Sequence, residues 1–286
     1  MAAPEVGVIG LGLLGSALTE RLLDAGFSVF VWNRTRSKAD RLLEKGAVWS
    51  DNPLAASDRV VVSLYTTDVV EEVLKQMDTG LRAGQIVIDT TTGNPQQTAD
   101  LGARLARRGV HYLEAPVSGS SEQARRGKVL VIAGGEREVY EACRDVFASF
   151  AEQSLFAGPW GNGAKMKLVT NLVLGLNRAA LGEGIGFARA IGLAAEDALE
   201  ALIKSVAYSR AMDHKGRKMV HGDFSPQAKL SQHLKDVRLI LSEGSRARAK
   251  LPLSSLHRQL LEELEAAGFG EEDNSAIMRA FDLEAG

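Results

Sequence analysis

The chain has 286 residues and a formal net charge of −2, and its hydrophobic and charged fractions, 45% and 24%, are those of a globular protein with one large or two ordinary domains. The nearly balanced charge excludes a field that would attract nucleic acid or an anionic membrane, and the single cysteine, Cys143, excludes an internal disulfide. We find neither a basic and apolar leader nor an apolar run long enough to cross a membrane, so we expect a cytoplasmic protein.

The first half of the chain alternates short β-rich runs with helical patterns. The predicted strands are EVGVIG, FSVFVW, DRVVVSL, QIVIDT, GVHYLEAPV, KVLVIAG and EQSLFAG. Between them lie helical patterns such as LLGSALTERLLDAG, SKADRLLEKG, VVEEVLKQM and PQQTADLGARLARRG. Alternating units of this kind predict a mainly parallel sheet with helices on both faces. The fold class is therefore α/β, with a Rossmann-type doubly wound sheet domain over residues 1–160.

The β signal stops at Gly161, and the rest of the chain has helical spacing. A proline-free run of close to 30 residues comes first, so we predict an all-α domain over residues 161–286, joined to the sheet domain by a long interdomain helix. That helix carries four interior glycines, each of which costs roughly 1 kcal/mol relative to alanine. They are Gly175, Gly182, Gly184 and Gly186. The cost predicts close approach by another helix or a ligand; a helix broken near Gly182 is the alternative.

A glycine motif follows the first predicted strand. Gly10, Gly12 and Gly15 form G-x-G-x-x-G between a strand and a helix, which is the context of a dinucleotide-binding turn. Gly10 permits the tight turn, Gly12 allows the backbone to approach a pyrophosphate, and Gly15 allows the helix to pack on the strand. The N-terminus of the helix, with Leu13 and Leu14, offers free N–H groups to the phosphates. A glycine-rich turn without a ligand is the alternative.

The end of the second predicted strand indicates which dinucleotide binds. NAD sites carry a carboxylate there, whereas this chain has Asn33, followed by Arg34 and Thr35. A neutral amide does not repel a 2′-phosphate, the arginine can form a charge-assisted pair with it, and the threonine hydroxyl adds a donor. We therefore predict NADP(H) as the cofactor. The alternative is a solvated basic turn in a protein that binds NAD.

Two loops at the carboxyl ends of later strands are placed for a substrate. One carries Thr92, a side-chain donor near the nicotinamide. The other carries Ser118, Gly119 and Ser120, whose backbone N–H groups and hydroxyls form a neutral nest suited to a carboxylate. On spacing alone, an ordinary serine and glycine turn would explain the second loop equally well.

Lys167 and Asn171 are four residues apart near the start of the long helix, so they share one face. A carbonyl that receives hydride develops negative charge on oxygen, and an ammonium within hydrogen-bond reach can stabilise that charge and supply a proton. The asparagine can hold the lysine or the substrate oxygen in line. A solvated surface pair is the alternative, and we expect nearby Lys165 to be an ordinary surface lysine.

Six segments in this order resemble the β-hydroxyacid dehydrogenase family. They are GLGLLG, DTTTGNP (89–95), EAPVSGS (114–120), GNGAKMKLVTN (161–171), LKD (234–236) and AAGFGEEDNSA (266–276). The resemblance implies that Lys167 is the catalytic acid and base, supported by Asn171, and that Ser118 and Gly119 bind the substrate carboxylate. It implies that Thr92, Lys235 and Asp236 line the cofactor and substrate site, and that the protein is a homodimer or homotetramer.

The subgroup that the motifs resemble most is the NADPH-dependent glyoxylate/succinic semialdehyde reductases. We therefore expect reduction of a small carboxylate-bearing aldehyde or ketone to the hydroxy acid. Ala228 and Lys229 depart from that subgroup, which typically has phenylalanine and proline there; the smaller side chain enlarges the pocket, and the added cation could meet a second carboxylate. His233 is also atypical.

Two other functions remain open. Imine reductases share the fold and the VWNRT run but usually lack a lysine at position 167, and a non-catalytic NADP-binding scaffold is the third possibility.

No histidine pairs with cysteine or carboxylate at metal-ligand spacing, so we expect no metal. The five histidines are His111, His214, His221, His233 and His257.

Overall fold

The computed structural model describes residues 3–282. It has two compact units, one ending at Lys167 and the other beginning at Leu168. The division falls inside a single 29-residue helix. The predicted domain boundary between residues 160 and 161 lies just before that helix and stays a prediction.

A six-stranded parallel sheet forms the centre of the N-terminal unit. Its strands are β1 (Glu5–Ile9), β2 (Ser28–Trp32), β3 (Val48–Trp49), β4 (Arg59–Val62), β5 (Ile86–Asp89) and β6 (His111–Glu114). The order β3-β2-β1-β4-β5-β6 is the Rossmann order, and in register Ile9 lies opposite Trp32 on one side and Val62 on the other. The strand order reverses between β1 and β4, which is where ligands bind in sheets of this kind.

Helices cover both faces of this sheet. They are α1 (Leu13–Asp24), α2 (Asp40–Glu44), α3 (Pro53–Ala56), α4 (Thr67–Gln76) and α5 (Pro95–Ala106). Alternate residues of one strand enter two different hydrophobic clusters: on β4, Val61 lies in one cluster, and Val60 and Val62 lie in the other. Strands buried on both sides read as continuous apolar runs, which is why the sequence indicated a parallel sheet. The predicted doubly wound α/β fold is confirmed.

A second, smaller sheet follows, which the sequence did not separate from the first. It contains β7 (Val117–Ser118), β8 (Val129–Ala133) and β9 (Ala151–Phe156), with α6 (Ser121–Arg125), α7 (Arg137–Ala142) and α8 (Arg144–Phe150) beside it. β7 is antiparallel to β8, and β8 is parallel to β9. The run REVYEACRDVF forms two helices that meet at Cys143, a fully buried thiol whose pKa is raised to about 12 by that burial.

The C-terminal unit is helical, as predicted. Its helices are α9 (Asn162–Ala190), α10 (Ala195–Lys204), α11 (Arg217–His221), α12 (Leu230–Arg246) and α13 (Pro252–Ala266), where the first six residues of α9 belong to the N-terminal unit. A π-helical turn precedes α11, and a 3₁₀ helix, Asn274–Phe281, follows α13. None of the helices described is long and apolar enough to cross a membrane.

The glycines of α9 allow other elements of the C-terminal unit to approach closely. A Cβ at Gly182 would lie 3.1 Å from the Phe281 ring, and one at Gly186 would lie 2.5 Å from the Phe281 carbonyl oxygen. The helix is continuous through Gly182. Close packing is therefore the reason for Gly182 and Gly186, whereas a Cβ at Gly184 would make only an ordinary contact; the alternative of a broken helix is wrong.

Candidate active site

The glycine motif has the geometry of a phosphate-binding turn. Gly10 has φ +98°, a left-handed conformation that favours glycine, and a Cβ there would overlap the Ser63 carbonyl oxygen. A Cβ at Gly15 would overlap the Gly10 carbonyl oxygen, so helix α1 reaches the strand only with glycine at this position. A Cβ at Gly12 would meet no protein atom within 4 Å. Space is therefore left in front of the first turn of α1, and the residues fit a dinucleotide pyrophosphate.

Asn33 connects this turn to the basic segment that follows β2. Its Oδ1 accepts a hydrogen bond from the Leu11 N–H (2.9 Å), and its Nδ2 donates to the Thr35 carbonyl oxygen (2.9 Å). Arg34 and Thr35 are exposed, and within residues 3–282 the Arg34 guanidinium has no hydrogen bond or ion pair. Arg36 instead stacks over the Trp49 ring at 4.7 Å. Arg34 is therefore a cation of this segment that remains available to a ligand, as is the exposed Lys38.

The loop after β5 is held by a buried carboxylate. Asp89 accepts hydrogen bonds from the Thr91 N–H (2.9 Å) and from the Tyr112 hydroxyl (2.7 Å), and burial raises the pKa of Asp89. The Thr91 hydroxyl accepts from the Leu64 N–H (3.1 Å), so this threonine joins two loops of the sheet. Thr92, the predicted cofactor ligand, is half-buried beside it.

Glu114 explains Gly163, the glycine in the first turn of α9, a role that the sequence did not indicate. Its carboxylate, at the end of β6, accepts hydrogen bonds from the N–H groups of Gly163 (2.9 Å) and Ala164 (3.0 Å). A Cβ at Gly163 would lie 3.1 Å from the Glu114 carboxyl carbon, and one at Gly134 would overlap its Oε1. Burial raises the pKa of Glu114 to about 7, although the backbone donors act in the opposite direction. Glu114 thus fixes the N-terminus of the helix that carries Lys167.

The predicted carboxylate nest is partly used by the protein itself. The Ser120 hydroxyl accepts from the Gln123 N–H (3.2 Å), and the Ser120 N–H donates to Gln123 Oε1 (2.8 Å), which forms a capping box at the start of α6. Gly119 is exposed, and a Cβ there would lie 2.6 Å from the Val129 side chain. Ser118 is half-buried at the end of β7. The Ser120 N–H is therefore not available to a substrate, and the role of Ser118 and Gly119 in binding a substrate carboxylate stays a prediction.

Lys167 lies in the second turn of α9 and is only 5% exposed. Lys165, two residues earlier, is exposed, as expected of a surface lysine. A lysine is almost never buried to this degree unless it is paired or has a function. The alternative of a solvated surface pair is therefore wrong for Lys167.

Asn171, one turn further along α9, is held by α12. Its Nδ2 donates to Asp236 Oδ2 (2.8 Å), and Lys235 Nζ lies 2.9 Å from Asp236 Oδ1. Asn171 and Asp236 are both buried. Because an aspartate oxygen only accepts hydrogen bonds, this contact fixes which end of the amide is the nitrogen and directs the carbonyl oxygen of Asn171 elsewhere. Residues predicted separately for catalysis, substrate and cofactor thus form one bonded group.

Four other charged residues of the C-terminal unit have an ion pair or a degree of burial that the sequence did not predict. Lys229 forms an ion pair with Glu271, so it does not supply an unpaired cation. Lys215 and Asp273 form an ion pair that is almost completely buried, at 2.7 Å. Arg178, in α9, is 4% exposed. Neither the buried pair nor Arg178 had a signal in the sequence, because a single charged residue in a helical pattern reads as a surface position.

Family models match both parts of the chain. The model described as the NAD binding domain of 6-phosphogluconate dehydrogenase matches residues 5–158, which is more than half of the chain. The model described as NAD-binding of NADP-dependent 3-hydroxyisobutyrate dehydrogenase matches residues 161–281.

Individual proteins agree with these matches. Cytokine-like nuclear factor N-PAC from Xenopus tropicalis is 30% identical over 97% of this chain and 53% of its own length; the chain spans about half the length of the N-PAC relatives that it matches. Glyoxylate/succinic semialdehyde reductase 1 from Arabidopsis thaliana is 29% identical over 96% of this chain and 98% of its own. The structure of Psf3 in complex with NADP+ and 2-OPP has a TM-score of 0.89 and 28% identity, covering 97% of this chain and 100% of that chain.

The matched models, the strand order and the glycine turn agree on one assignment. Both models are described as NAD-binding; one covers the sheet part of the chain and the other the helical part. The chain belongs to the β-hydroxyacid dehydrogenase family of NAD(P)-dependent dehydrogenases and reductases, and it binds NAD(P)(H).

Proposed function

We propose that the chain is an NADPH-dependent oxidoreductase that reduces a small carboxylate-bearing aldehyde or ketone to the hydroxy acid, with Lys167 as the general acid. The observation that carries the proposal is the burial of Lys167 on the same helical face as Asn171. Burying an ammonium costs free energy, so its presence at the start of this helix favours a role in proton transfer.

NADPH, when bound, supplies the hydride. Residues of the chain then stabilise and protonate the negative charge that develops on the substrate oxygen. Lys167 Nζ donates a hydrogen bond to that oxygen and transfers its proton to it, and in the reverse direction the neutral amine accepts the alcohol proton. Burial also limits the access of water, which strengthens the hydrogen bond between the ammonium and the developing oxyanion.

Asn171 and Asp236 act on the geometry of this step. The hydrogen bond to Asp236 uses the Asn171 amide nitrogen and directs its carbonyl oxygen away from Asp236. An acceptor one turn from Lys167 on the same face suits an ammonium donor, so Asn171 holds the lysine in the orientation that presents a proton to the substrate. Asp236 is a positioning residue in this scheme, because it acts through the asparagine.

The preference for NADPH rests on Arg34. It is exposed beyond the end of β2, and the part of the chain that the structure describes gives it no hydrogen-bond or ionic partner. Asn33 uses its amide to brace the glycine turn and adds no negative charge. A 2′-phosphate placed here would meet a cation and no carboxylate, which favours NADPH over NADH.

The substrate carboxylate binds, in this proposal, to the Gly119 N–H and the Ser118 hydroxyl.

We also propose a homodimer or homotetramer in the cytoplasm. The outer side of α9 exposes four large apolar side chains at helical spacing: Val169, Val173, Phe187 and Ile191. Several large apolar side chains exposed on one helix favour an association site. Light scattering on the purified protein would give the subunit number.

A panel assay tests the proposed function. Purified protein is mixed with NADPH and, in turn, with aldehyde acids, 2-oxo acids and cyclic imines, and the loss of reduced-nicotinamide absorbance is followed. Turnover with the acids supports the proposal, and turnover with imines alone would indicate an imine reductase. NADPH binding without turnover of any compound would indicate a non-catalytic scaffold.

The cofactor preference has a separate test. Arg34→Ala should weaken NADPH binding by at least tenfold, because one charge-assisted contact is lost, and should change NADH binding by less than threefold. Arg36→Ala is the matched control, since Arg36 stacks on Trp49. Equal weakening of both cofactors would contradict the 2′-phosphate assignment.

A further inference from the structure

Arg178 is a charged group in the interior of the C-terminal unit that the proposed reaction does not use. Its guanidinium is 4% exposed, and among residues 3–282 no side chain or backbone group forms a hydrogen bond or an ion pair with it. Burial lowers the pKa of Arg178 to about 10, so it remains charged at neutral pH. An arginine is rarely buried without a partner, because five N–H donors lose their water.

The two carboxylates that influence Arg178 are occupied by other donors. Asp273 accepts two hydrogen bonds from Lys215 Nζ, at 2.7 and 2.9 Å, and further bonds from backbone N–H groups. Asp236 accepts from Asn171 and pairs with Lys235. Both act on Arg178 only at a distance. Each of the two carboxylates thus already has an ammonium partner, and Arg178 is a further cation that has no carboxylate of its own.

His257 is a polar, neutral group close to Arg178. His257 is 4% exposed, and its pKa is lowered to about 4 by burial and by Arg178, so it is neutral and can donate or accept a hydrogen bond. The His233 ring lies 5.2 Å from the His257 ring. Gly175, on the same face of α9, leaves room for both, because a Cβ there would lie 2.5 Å from His233 Nε2 and 2.8 Å from His257 Cε1.

Helix geometry puts Arg178 in line with Asn171. The two residues are two turns apart on one face of α9, with a rise of about 10 Å between their Cα atoms. Side chains on a helix lean toward its N-terminus, so the long arginine side chain reaches back toward the asparagine. A short carbon chain can span the remaining distance.

We propose that Arg178, with His257 beside it, binds a second acid group of the substrate, and that the preferred substrates carry two acid groups. This inference rests on the proposed function, in which the carbonyl end of the substrate lies near Asn171. A carboxylate matches the planar fork of the guanidinium and neutralises its charge. Lys229, which the sequence suggested for a second carboxylate, is paired with Glu271. The N–H donors of Arg178, in contrast, make no hydrogen bond within residues 3–282.

Matched acids test the site without requiring turnover. The NADP+-saturated protein is titrated by calorimetry with succinate and butanoate, glutarate and pentanoate, and adipate and hexanoate. Each pair has the same carbon number and differs only in the second acid group. We expect at least one dicarboxylate to bind at least tenfold more tightly than its partner, because a charge-assisted bidentate contact is gained.

Variants assign the preference to Arg178. Arg178→Met should reduce it to within threefold while the monocarboxylates keep their affinity, and Arg178→Lys should give an intermediate value and serves if the methionine variant does not fold. Arg189→Met, in the same helix, should keep the full preference. The inference is overturned if the wild type prefers no dicarboxylate in any pair, or if Arg178→Met keeps the preference.

The panel assay separates this inference from the proposed function. A dicarboxylate preference that depends on Arg178, without NADPH turnover of any carbonyl acid, would leave the anion site standing and contradict the proposed function. Turnover of monoacids with no dicarboxylate preference would contradict the inference about Arg178 alone.

Discussion

Glu114→Gln tests whether a buried carboxylate fixes the start of the catalytic helix. The pKa of Glu114 is about 7 in the folded chain, against an ordinary value of 4.5. The folded chain therefore keeps a proton that the unfolded chain releases between these two pH values, so the free energy of unfolding falls as pH rises through this window. Each pKa unit corresponds to about 1.4 kcal/mol, and the full effect is roughly 3 kcal/mol at pH 8.

The glutamine variant removes this pH dependence and keeps the shape. Its amide oxygen accepts one helix N–H, but its nitrogen only donates, so the second N–H loses its acceptor and the variant should be less stable by about 1–3 kcal/mol at pH 4.5. Between pH 4.5 and pH 8 the stability of the variant relative to the wild type should rise by up to about 3 kcal/mol. Because other titrating groups are common to both proteins, the difference between them isolates Glu114.

The assay is urea unfolding, followed by circular dichroism, of both proteins from pH 4.5 to 8.5. Glu152→Gln, at an exposed position of β9, is the control and should show no such trend. A difference between wild type and Glu114→Gln that stays constant over the whole range would refute the reasoning. That result would mean that the helix N–H groups hold Glu114 charged at all these pH values.

Three further substitutions test the packing of the site and of the helical unit. Gly15→Ala should abolish NADPH binding and lower the melting temperature, because its Cβ would overlap a backbone oxygen; a normal melting curve would contradict this. Gly12→Ala should leave the melting curve nearly unchanged but weaken NADPH binding in a fluorescence titration, since its Cβ meets no protein atom and would enter the ligand space; unchanged affinity would mean that the pyrophosphate lies elsewhere. Asp273→Asn should cost about 3–5 kcal/mol in urea unfolding, because it leaves the Lys215 ammonium buried without a counter-charge, and a loss below 1 kcal/mol would show that the pair relaxes into water.

The sequence predicted those parts of the fold and site that follow from local patterns. Apolar runs and helical spacing indicated the sheet unit and the helical unit, and the spacing of Gly10, Gly12 and Gly15 indicated a turn that the structure has. The spacing of Lys167 and Asn171 placed them on one face, but their burial depends on packing that spacing does not reveal.

The remainder depends on contacts between residues distant in sequence. Glu114 lies inside a motif that was noted for its serines, and its bonds to a helix that begins 48 residues later could not be read from a pattern. The second sheet was missed because β7 has only two residues, too few to show alternation. Arg178 was missed because a charged residue in an amphipathic helix reads as solvated.

The central claim is that the Lys167 ammonium supplies the proton in the reduction of a carbonyl acid. Lys167→Met keeps most of the side-chain volume and removes the proton donor, while Lys165→Met, at an exposed position of the same helix, is the matched control. With NADPH and the best substrate of the panel, kcat for Lys167→Met should fall by roughly 10²- to 10⁴-fold, while NADPH affinity should stay within about threefold and Lys165→Met should behave as wild type. A Lys167→Met protein that binds NADPH normally and keeps a near wild-type kcat would contradict the account.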